Sequence, residues 1–244
     1  IPVAHVEAGL RSFDMKMPEE VNRRLTDHVS SLLFCPTKLA AMNLGQEGIH
    51  AGVFVVGDVM PDGLRKMARP ARKARAKTGV PAHHSFAAVH RQENTDDKAR
   101  LQGILDGLGS LPYPVILPLH PRTRSRLGAF KLRTPQNIRT TGPVSYTESL
   151  GLTLGARAVL TDSGGLQKEA FLLGKPCITL RDTTEWMETL SGGANRLVGP
   201  RARTILLAVR AIERKPPKVR PGIVYGDGRT AERIARRIEA HLAA

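Results

Sequence analysis

A glycine-rich segment between an apolar run and an amphipathic stretch carries the strongest chemical signal in the sequence. It covers residues 161–169 and has the sequence TDSGGLQKE. The N–H groups at a helix amino terminus attract anions, and glycines let a phosphate approach the backbone closely. We therefore expect Ser163, Gly164 and Gly165 to bind a phosphate, with Glu169 placed to bind a ribose. An ordinary glycine-rich turn is the alternative, because the spacing matches neither the Walker nor the dinucleotide glycine motif.

Two acidic residues from separate segments are candidates for proton transfer. Glu7 ends the first apolar run of the sequence, and ligands of open α/β sheets bind at the carboxyl ends of parallel strands. Glu19 begins a helical pattern with Arg23 one turn later, a spacing that usually gives only a surface ion pair. Carboxylates from two segments meeting near one strand end would suit acid and base roles at a carbon centre.

Two histidines follow further apolar runs. His90 ends the run at Phe86–His90, and His120 comes directly after Val115–Leu119. A single histidine is more often structural than catalytic, but two of them beside the Gly-Gly turn predict a converging cleft. No spacing of histidines and cysteines resembles that of a zinc site, so we predict no metal.

These candidate residues require elements that bring strand ends together, and the periodicity of the chain predicts them. Short β-branched or apolar runs alternate with longer amphipathic stretches, which is typical of βα units that wind a parallel sheet. The sequence therefore predicts an α/β fold. The predicted strands are Ile1–Val6, Leu32–Cys35, Val53–Val56, Phe86–His90, Val115–Leu119, Ala158–Thr161, Cys177–Leu180 and Arg196–Val198.

Helix starts are predicted from capping residues. Ser145 and Glu148 have capping-box spacing before the helix Leu150–Gly155, and Asp182 and Glu185 have the spacing of a second capping pair. Three further helix signals are Pro18 opening Glu19–Ser31, Thr37 after a proline, and a last amphipathic helix at Arg229–Leu242.

A basic, alanine-rich stretch marks the predicted domain boundary. We assign residues 1–62 to a first domain, 63–82 to a linker helix and 83–228 to a second domain with its own strand and helix repetition. The chain begins inside a predicted strand and without an initiator methionine. We therefore expect that its first domain is incomplete.

The composition restricts the class of protein. The chain has 244 residues, 41% of them hydrophobic, which is enough for a sizeable core. Cys35 and Cys177 each lie in an apolar run and predict buried thiols rather than a disulfide. No apolar run is long enough to span a bilayer and no secretory signal is present, so we expect no membrane partner and a cytoplasmic location.

The formal net charge of +15 makes nucleic acid a partner to consider. Much of the charge lies in residues 65–77 and 201–220, with few aromatic residues nearby to stack on bases. A solvated basic face is the preferred interpretation, and we predict no nucleic-acid partner. A positive cleft would also attract an acidic small substrate such as a nucleotide diphosphate.

Taken in order, these segments resemble the non-hydrolysing UDP-N-acetylglucosamine 2-epimerases along essentially the whole chain. The resemblance implies two Rossmann-like domains with parallel sheets facing a cleft, as in glycosyltransferases of the B type, with helix 229–244 crossing back to the first domain. It implies reversible inversion at C2, from UDP-GlcNAc to UDP-ManNAc, by elimination and re-addition of UDP without a cofactor. The matching segments are 5–11, 18–23, 90–94, 120–121, 162–169, 174–176, 181–185 and 225–228.

The resemblance also implies a role for each candidate residue. Glu7 and Glu19 match catalytic acids and bases, and His90 matches a residue near the leaving diphosphate. The implied substrate-binding residues are Arg23, His120, Ser163, Gly164, Gly165 and Glu169. Arg91 is the candidate for an allosteric site, and relatives in this family tend to form homodimers.

The sequence departs from the family in two places. An upstream segment with a further catalytic aspartate has no counterpart here, so we expect that this chain alone cannot complete turnover. Trp186 stands where some relatives have an arginine, which leaves the sugar open, including a diacetamido uronate. Two competing hypotheses are a glycosyltransferase of the same architecture and an inactive remnant that binds a nucleotide sugar or nucleic acid.

Overall fold

The computed structural model describes residues 1–77, 79–219 and 224–243. The chain divides into two compact units, which are called unit 1 (Ile1–Lys66 with Pro221–Ala244) and unit 2 (Met67–Arg220). The division falls inside one continuous helix, Met60–Lys77, rather than at the edges of a separate linker at 63–82. The shift in composition therefore marks an exposed basic helix, whereas the change of packing partners occurs within it.

Helices and strands alternate along the described chain, as the sequence predicts. The strands are β1 (Ala4–Val6), β2 (Leu32–Cys35), β3 (Val53–Val55), β4 (Ser85–Ala88), β5 (Val115–Pro118), β6 (Ile138–Thr141), β7 (Val159–Thr161), β8 (Cys177–Thr179) and β9 (Asn195–Leu197). The helices are α1 (Pro18–Val29), α2 (Lys38–Gln46), α3 (Met60–Lys77), α4 (Gln92–Thr95), α5 (Lys98–Gly109), α6 (Pro121–Ala129), α7 (Tyr146–Gly155), α8 (Gly164–Leu172), α9 (Ala202–Arg214) and α10 (Thr230–Leu242), with a 3-10 segment at Met187–Gly193.

Unit 1 contains a parallel sheet with the strand order β1-β2-β3. Its core includes Phe34 from β2 and Ile234 from α10, so the last helix of the chain packs on the first sheet. The carboxylate of Asp62 accepts hydrogen bonds from the N–H groups of Thr230 and Ala231 at 3.2 and 2.8 Å. This contact satisfies the amino end of α10 and fixes its position on unit 1.

Unit 2 contains a parallel sheet with the strand order β6-β5-β4-β7-β8-β9. From β4 the chain adds β5 and β6 on one side of the sheet, and from β7 it adds β8 and β9 on the other side. The direction of winding therefore reverses between β4 and β7. In open α/β sheets, such a switch point leaves a crevice at the carboxyl ends of the strands, where ligands bind. The segments after β4 and β7 are therefore the expected position of a site.

Most predicted elements are confirmed, and two details are wrong. The capping box of Ser145 and Glu148 is present, and Thr37 caps α2. The strand β6 has no counterpart among the predicted strands, because its residues after Ile138 are exposed and polar. The predicted capping pair is also wrong. Asp182 and Glu185 instead form ion pairs with arginines, and the 3-10 segment that follows has no side-chain cap.

Candidate active site

Polar residues follow β4, β5 and β7 at the switch point of unit 2. His90, His120 and Ser163 each lie two residues beyond the last residue of their strand. The imidazole rings of His90 and His120 have their centroids 5.4 Å apart. The sheet therefore places three residues that the sequence predicts for one site at the same edge.

The amino end of α8 begins at a serine cap and adjoins open space. Ser163 is its N-cap, and the hydroxyl accepts a hydrogen bond from the Leu166 N–H at 3.5 Å. The first N–H groups of a helix have no acceptor within the helix, and the helix dipole adds partial positive charge there. Gly165 is exposed, and a Cβ added to it would meet no atom within 4 Å. Open space therefore adjoins these donors, as phosphate binding requires.

Gly164 has a different environment from its neighbour. A Cβ added there would lie 2.5 Å from Oε1 of Glu185 and 3.1 Å from Nε1 of Trp186. The glycine therefore allows the loop after β8 to pack against the start of α8. Its missing Cβ permits close packing of protein groups, whereas Gly165 is the glycine that faces open space.

The two histidine rings have different surroundings. The N–H of Arg122 donates to Nδ1 of His120 at 3.2 Å, so the neutral ring carries its proton on Nε2, which is then available as a donor. Burial lowers the pKa of His90 below its usual value, and His120 and Arg91 act in the same direction. The Asp162 carboxylate, 3.9 Å from Nδ1 of His90, opposes that shift.

Glu169 lies on α8 and is almost fully buried. Burial raises its pKa above the usual value, although the Tyr146 hydroxyl and Lys168 favour the ionised form. The pKa of Tyr146 is itself raised to about 12, first by burial and then by the Glu169 charge. Tyr146 is thus a neighbour of the predicted ribose carboxylate that sequence reasoning missed, since it stands 23 positions away on another helix.

The loop after β8 forms a charged layer behind the start of α8. The Arg181 guanidinium is buried and lies 2.9 Å from the Glu185 carboxylate. The Arg91 guanidinium lies 3.9 Å from the same carboxylate. The ammonium of Lys168 lies 3.9 Å from the centroid of the Trp186 ring. Arg91, the predicted allosteric residue, therefore lies near the same loop.

Glu7 occupies an unusual backbone conformation at the end of β1 in unit 1. Its φ of +69° is in the left-handed region, which non-glycine residues seldom adopt. The N–H of Ala8 donates to the Phe34 carbonyl at 3.2 Å, and Nδ2 of Asn43 donates to the Gly9 carbonyl at 2.9 Å. Such strain persists only where surrounding contacts impose it, and it is frequent at functional sites.

A buried ionic network supports this turn, and sequence reasoning missed its centre, Asp27. The Asp27 carboxylate accepts hydrogen bonds from Nδ1 of His5 at 2.6 Å, from the Gly9 N–H at 3.2 Å and from the Arg11 guanidinium at 2.7 Å. Arg11 also forms a two-pronged pair with Glu47, at 2.8 and 2.7 Å. Burial opposes ionisation of Asp27, but the hydrogen bonds from His5 and Arg11 outweigh it and lower its pKa.

Glu19 is exposed on the first turn of α1, whereas its neighbour Glu20 is fully buried. Glu20 accepts hydrogen bonds from the N–H and hydroxyl of Ser12 at 2.8 and 2.9 Å. The Arg23 guanidinium lies 3.6 Å from the Glu20 carboxylate, and its Nε donates to the backbone carbonyl of Glu19 at 3.2 Å. Glu20 therefore anchors the loop after β1, which leaves Glu19 as the exposed carboxylate of the pair.

The described parts of the chain contain no metal cluster, no bond between the two cysteines and no membrane-spanning helix. No group of three or more His, Cys, Asp or Glu side chains there could hold a metal ion. Cys35 and Cys177 are buried and not bonded to each other. No helix in those ranges has both the length and the apolar composition to cross a bilayer.

Comparison with known proteins places this arrangement among two-sheet α/β enzymes of nucleotide sugars. The crystal structure of Methanocaldococcus jannaschii UDP-GlcNAc 2-epimerase in complex with UDP-GlcNAc and UDP superposes with a TM-score of 0.92 at 43% identity, over 98% of this chain and 69% of that one. The Neisseria meningitidis enzyme bound to UDP-GlcNAc gives a TM-score of 0.86 at 29% identity, over 98% and 70%. The predicted α/β class with two Rossmann-like parallel sheets is confirmed.

Sequence comparison gives the family. UDP-2,3-diacetamido-2,3-dideoxy-D-glucuronate 2-epimerase of Pseudomonas aeruginosa is 45% identical over 96% of this chain and 67% of its own length. The family model described as UDP-N-acetylglucosamine 2-epimerase matches residues 1–239. The chain belongs to the UDP-N-acetylglucosamine 2-epimerase family, and it spans about two thirds of the length of these relatives.

Proposed function

We propose that the protein is a UDP-sugar 2-epimerase that interconverts UDP-GlcNAc and UDP-ManNAc. The observation that supports this most strongly is the switch point of unit 2, where the amino end of α8 lies at the same sheet edge as His90 and His120. A site with N–H donors, two imidazoles and open space at Gly165 suits a diphosphate. Glu169, on the same helix, is the group proposed to bind the ribose.

The chemistry requires proton transfer at C2 and a leaving diphosphate at C1. A base removes the C2 proton, the C1–O bond breaks as the C1–C2 double bond forms, and UDP departs with the bonding pair. Protonation of C2 from the opposite face and re-addition of UDP complete the inversion. Donors already in place stabilise the charge on UDP as it leaves, and His90 and the amino end of α8 are proposed for that role.

Glu7 and Glu19 are the proposed proton carriers. Glu7 is a carboxylate in a conformation that glycine would adopt at lower cost, which indicates selection for its side chain. Glu19 is exposed on the first turn of α1, whereas Glu20 beside it is fully buried. These properties support the assignment of Glu7 and Glu19 as proton carriers, which the family resemblance implies. Substitution of these residues tests that assignment.

Isotope exchange tests the reaction itself. The product of the complete gene, incubated with UDP-GlcNAc in heavy water, is expected to incorporate deuterium at C2 and to form UDP-ManNAc. A glycosyltransferase of the same architecture has no need to exchange that hydrogen. Absence of C2 exchange together with sugar transfer to an acceptor would reject the epimerase and support the transferase.

Replacing Gly165 by alanine tests where the diphosphate binds. The protein leaves room for the methyl group, and an alanine in a helix is favoured over glycine by up to about 1 kcal/mol, so the fold is expected to be retained. UDP affinity, measured by calorimetry, is expected to fall at least tenfold, since a Cβ would occupy the space proposed for phosphate. Gly128→Ala on α6, also helical and facing open space, is the matched control and should bind UDP normally.

Replacing Glu169 by glutamine tests the ribose assignment. A hydrogen bond to a charged group is worth about 1.5–3 kcal/mol, so UDP binding is expected to weaken by roughly tenfold or more. Binding of inorganic pyrophosphate, which has no ribose, should be unchanged. Glu148→Gln on α7 is the control, because glutamine also serves at that position of a capping box. Equal losses for UDP and pyrophosphate would contradict the ribose role.

A diacetamido uronate is the second candidate substrate. The observation that favours it is the 45% identity to the Pseudomonas aeruginosa epimerase, over nearly the whole chain. Competition of UDP-GlcNAc and UDP-2,3-diacetamido-2,3-dideoxy-D-glucuronate for the same preparation, read as the ratio of kcat/KM values, separates the two substrates. A ratio well above one for the uronate would make it the substrate.

The cellular context remains a prediction. We propose a cytoplasmic homodimer that acts on a UDP-sugar and has no nucleic-acid partner. Light scattering of the purified protein gives the oligomeric state. Filter binding to RNA at moderate salt should show little retention, whereas tight retention with a steep salt dependence would favour nucleic-acid binding.

A further inference from the structure

Asp162 is a fully buried carboxylate between the end of β7 and the N-cap of α8. Its oxygens accept hydrogen bonds from the His90 N–H at 3.0 and 3.2 Å and from the Arg91 N–H at 3.0 Å. Nδ2 of Asn94 donates to it at 3.1 Å. Both oxygens of the buried carboxylate therefore have hydrogen-bond donors.

The contacts of Asp162 join the ends of three adjacent strands. Asp162 directly follows β7, and its carboxylate accepts hydrogen bonds from the segment after β4. Asn94, which donates to that carboxylate, also donates from Nδ2 to the Leu180 carbonyl after β8, at 2.9 Å. The next residue, Ser163, begins the anion-binding end of α8. One side chain therefore fixes the distance between His90 and the helix terminus.

We propose that Asp162 is a positioning residue for the diphosphate site, which holds His90 beside the amino end of α8 and gives its imidazole a fixed negative neighbour. The role of the site in UDP binding rests on the proposed function. The contact of Asp162 with His90 does not depend on it, because the contact lies entirely within unit 2.

The charges around the His90 imidazole determine how readily it takes up a proton. The groups that face the imidazole of His90 are Asp162 at 3.9 Å, the His120 ring at 5.4 Å between centroids, and Arg91 on its own segment. Without the Asp162 charge, burial, Arg91 and His120 would disfavour protonation of His90 further. With it, the additional negative charge of a bound diphosphate makes His90 take up a proton, and the protonated ring becomes a donor to the leaving group.

Titration of His90 in the ligand-free protein tests the contact. The imidazole signal, followed by NMR and assigned by its loss in His90→Gln, is expected to titrate about 1 pH unit lower in Asp162→Asn than in the wild type. The matched control is Asp96→Asn, which removes the same charge from the same region but contacts Arg122 and Arg126 instead. It should leave the His90 titration unchanged.

A second variant allows for a failure of folding. Asparagine would direct N–H groups at the donors of His90 and Arg91, whereas Asp162→Ser keeps an acceptor oxygen and removes the charge. Circular dichroism identifies the folded variants. An unchanged His90 titration in either folded variant would overturn the proposal, because a purely structural aspartate has no reason to influence that midpoint in one direction.

Proton uptake on UDP binding completes the test. Calorimetry in two buffers of different ionisation enthalpy is expected to show uptake in the wild type, less uptake in Asp162→Ser at the same pH, and loss of that component in His90→Gln. Equal uptake in all three proteins would contradict the link between Asp162, His90 and the diphosphate. If the wild type does not bind UDP at all, the proposed function fails, while the ligand-free titration still decides the contact.

Discussion

Replacing Glu7 by glutamine should reduce deuterium uptake at C2 by about 10²–10⁴-fold, the usual contribution of a general acid or base. Glutamine keeps the length and shape of the side chain but cannot carry the proton. The left-handed backbone is affected little, because neither residue is branched at Cβ. Exchange and epimer formation are both followed by NMR in heavy water, using the product of the complete gene.

The same variant should bind UDP as tightly as the wild type. The groups proposed to hold the diphosphate and ribose all belong to unit 2, whereas Glu7 belongs to unit 1. The control is Asp14→Asn in the loop after β1, where asparagine can still accept the hydrogen bond from the Lys16 N–H at 3.0 Å. Normal exchange in Glu7→Gln would remove this residue from proton transfer, and weak UDP binding would indicate a general loss of structure.

Local signals allowed the sequence to predict the strand ends that form the site. His90, His120 and Ser163 each follow a short apolar run, and parallel strands bring their carboxyl ends to one edge. Helix caps are equally local, which is why the box at Ser145 was predictable. The strand β6 lacks this signal because an edge strand with exposed side chains does not need an apolar run.

Contacts between distant residues could not be predicted in this way. Asp162 and His90 are 72 positions apart, and Asp27 and His5 are 22 positions apart. An aspartate in a helical or turn pattern normally indicates an exposed or capping residue, and nothing local distinguishes a buried one. The roles of Asp27, Glu20 and Tyr146 therefore emerge only after the chain has folded.

Replacing Asp27 by alanine should lower the free energy of unfolding by about 3–5 kcal/mol, as expected when a buried ion pair loses one partner. Three donors, from His5, Gly9 and Arg11, would lose their acceptor at a site that water does not reach. Such a loss is a large part of the roughly 5–15 kcal/mol that typically stabilises a domain. Urea unfolding followed by far-UV circular dichroism measures the change.

Two controls separate burial from charge in this prediction. Asp227→Ala breaks an ion pair with Arg233 of similar length, 2.8 Å, but both side chains are about half exposed and the free energy of unfolding should change little. Glu47→Ala removes the other carboxylate of Arg11 and leaves the Asp27 contacts to His5 and Gly9 intact. It should cost less than Asp27→Ala, because the turn that carries Glu7 keeps its acceptor. Equal losses for Asp27→Ala and Asp227→Ala would show that the network does not stabilise unit 1, and the strained conformation of Glu7 would then need another cause.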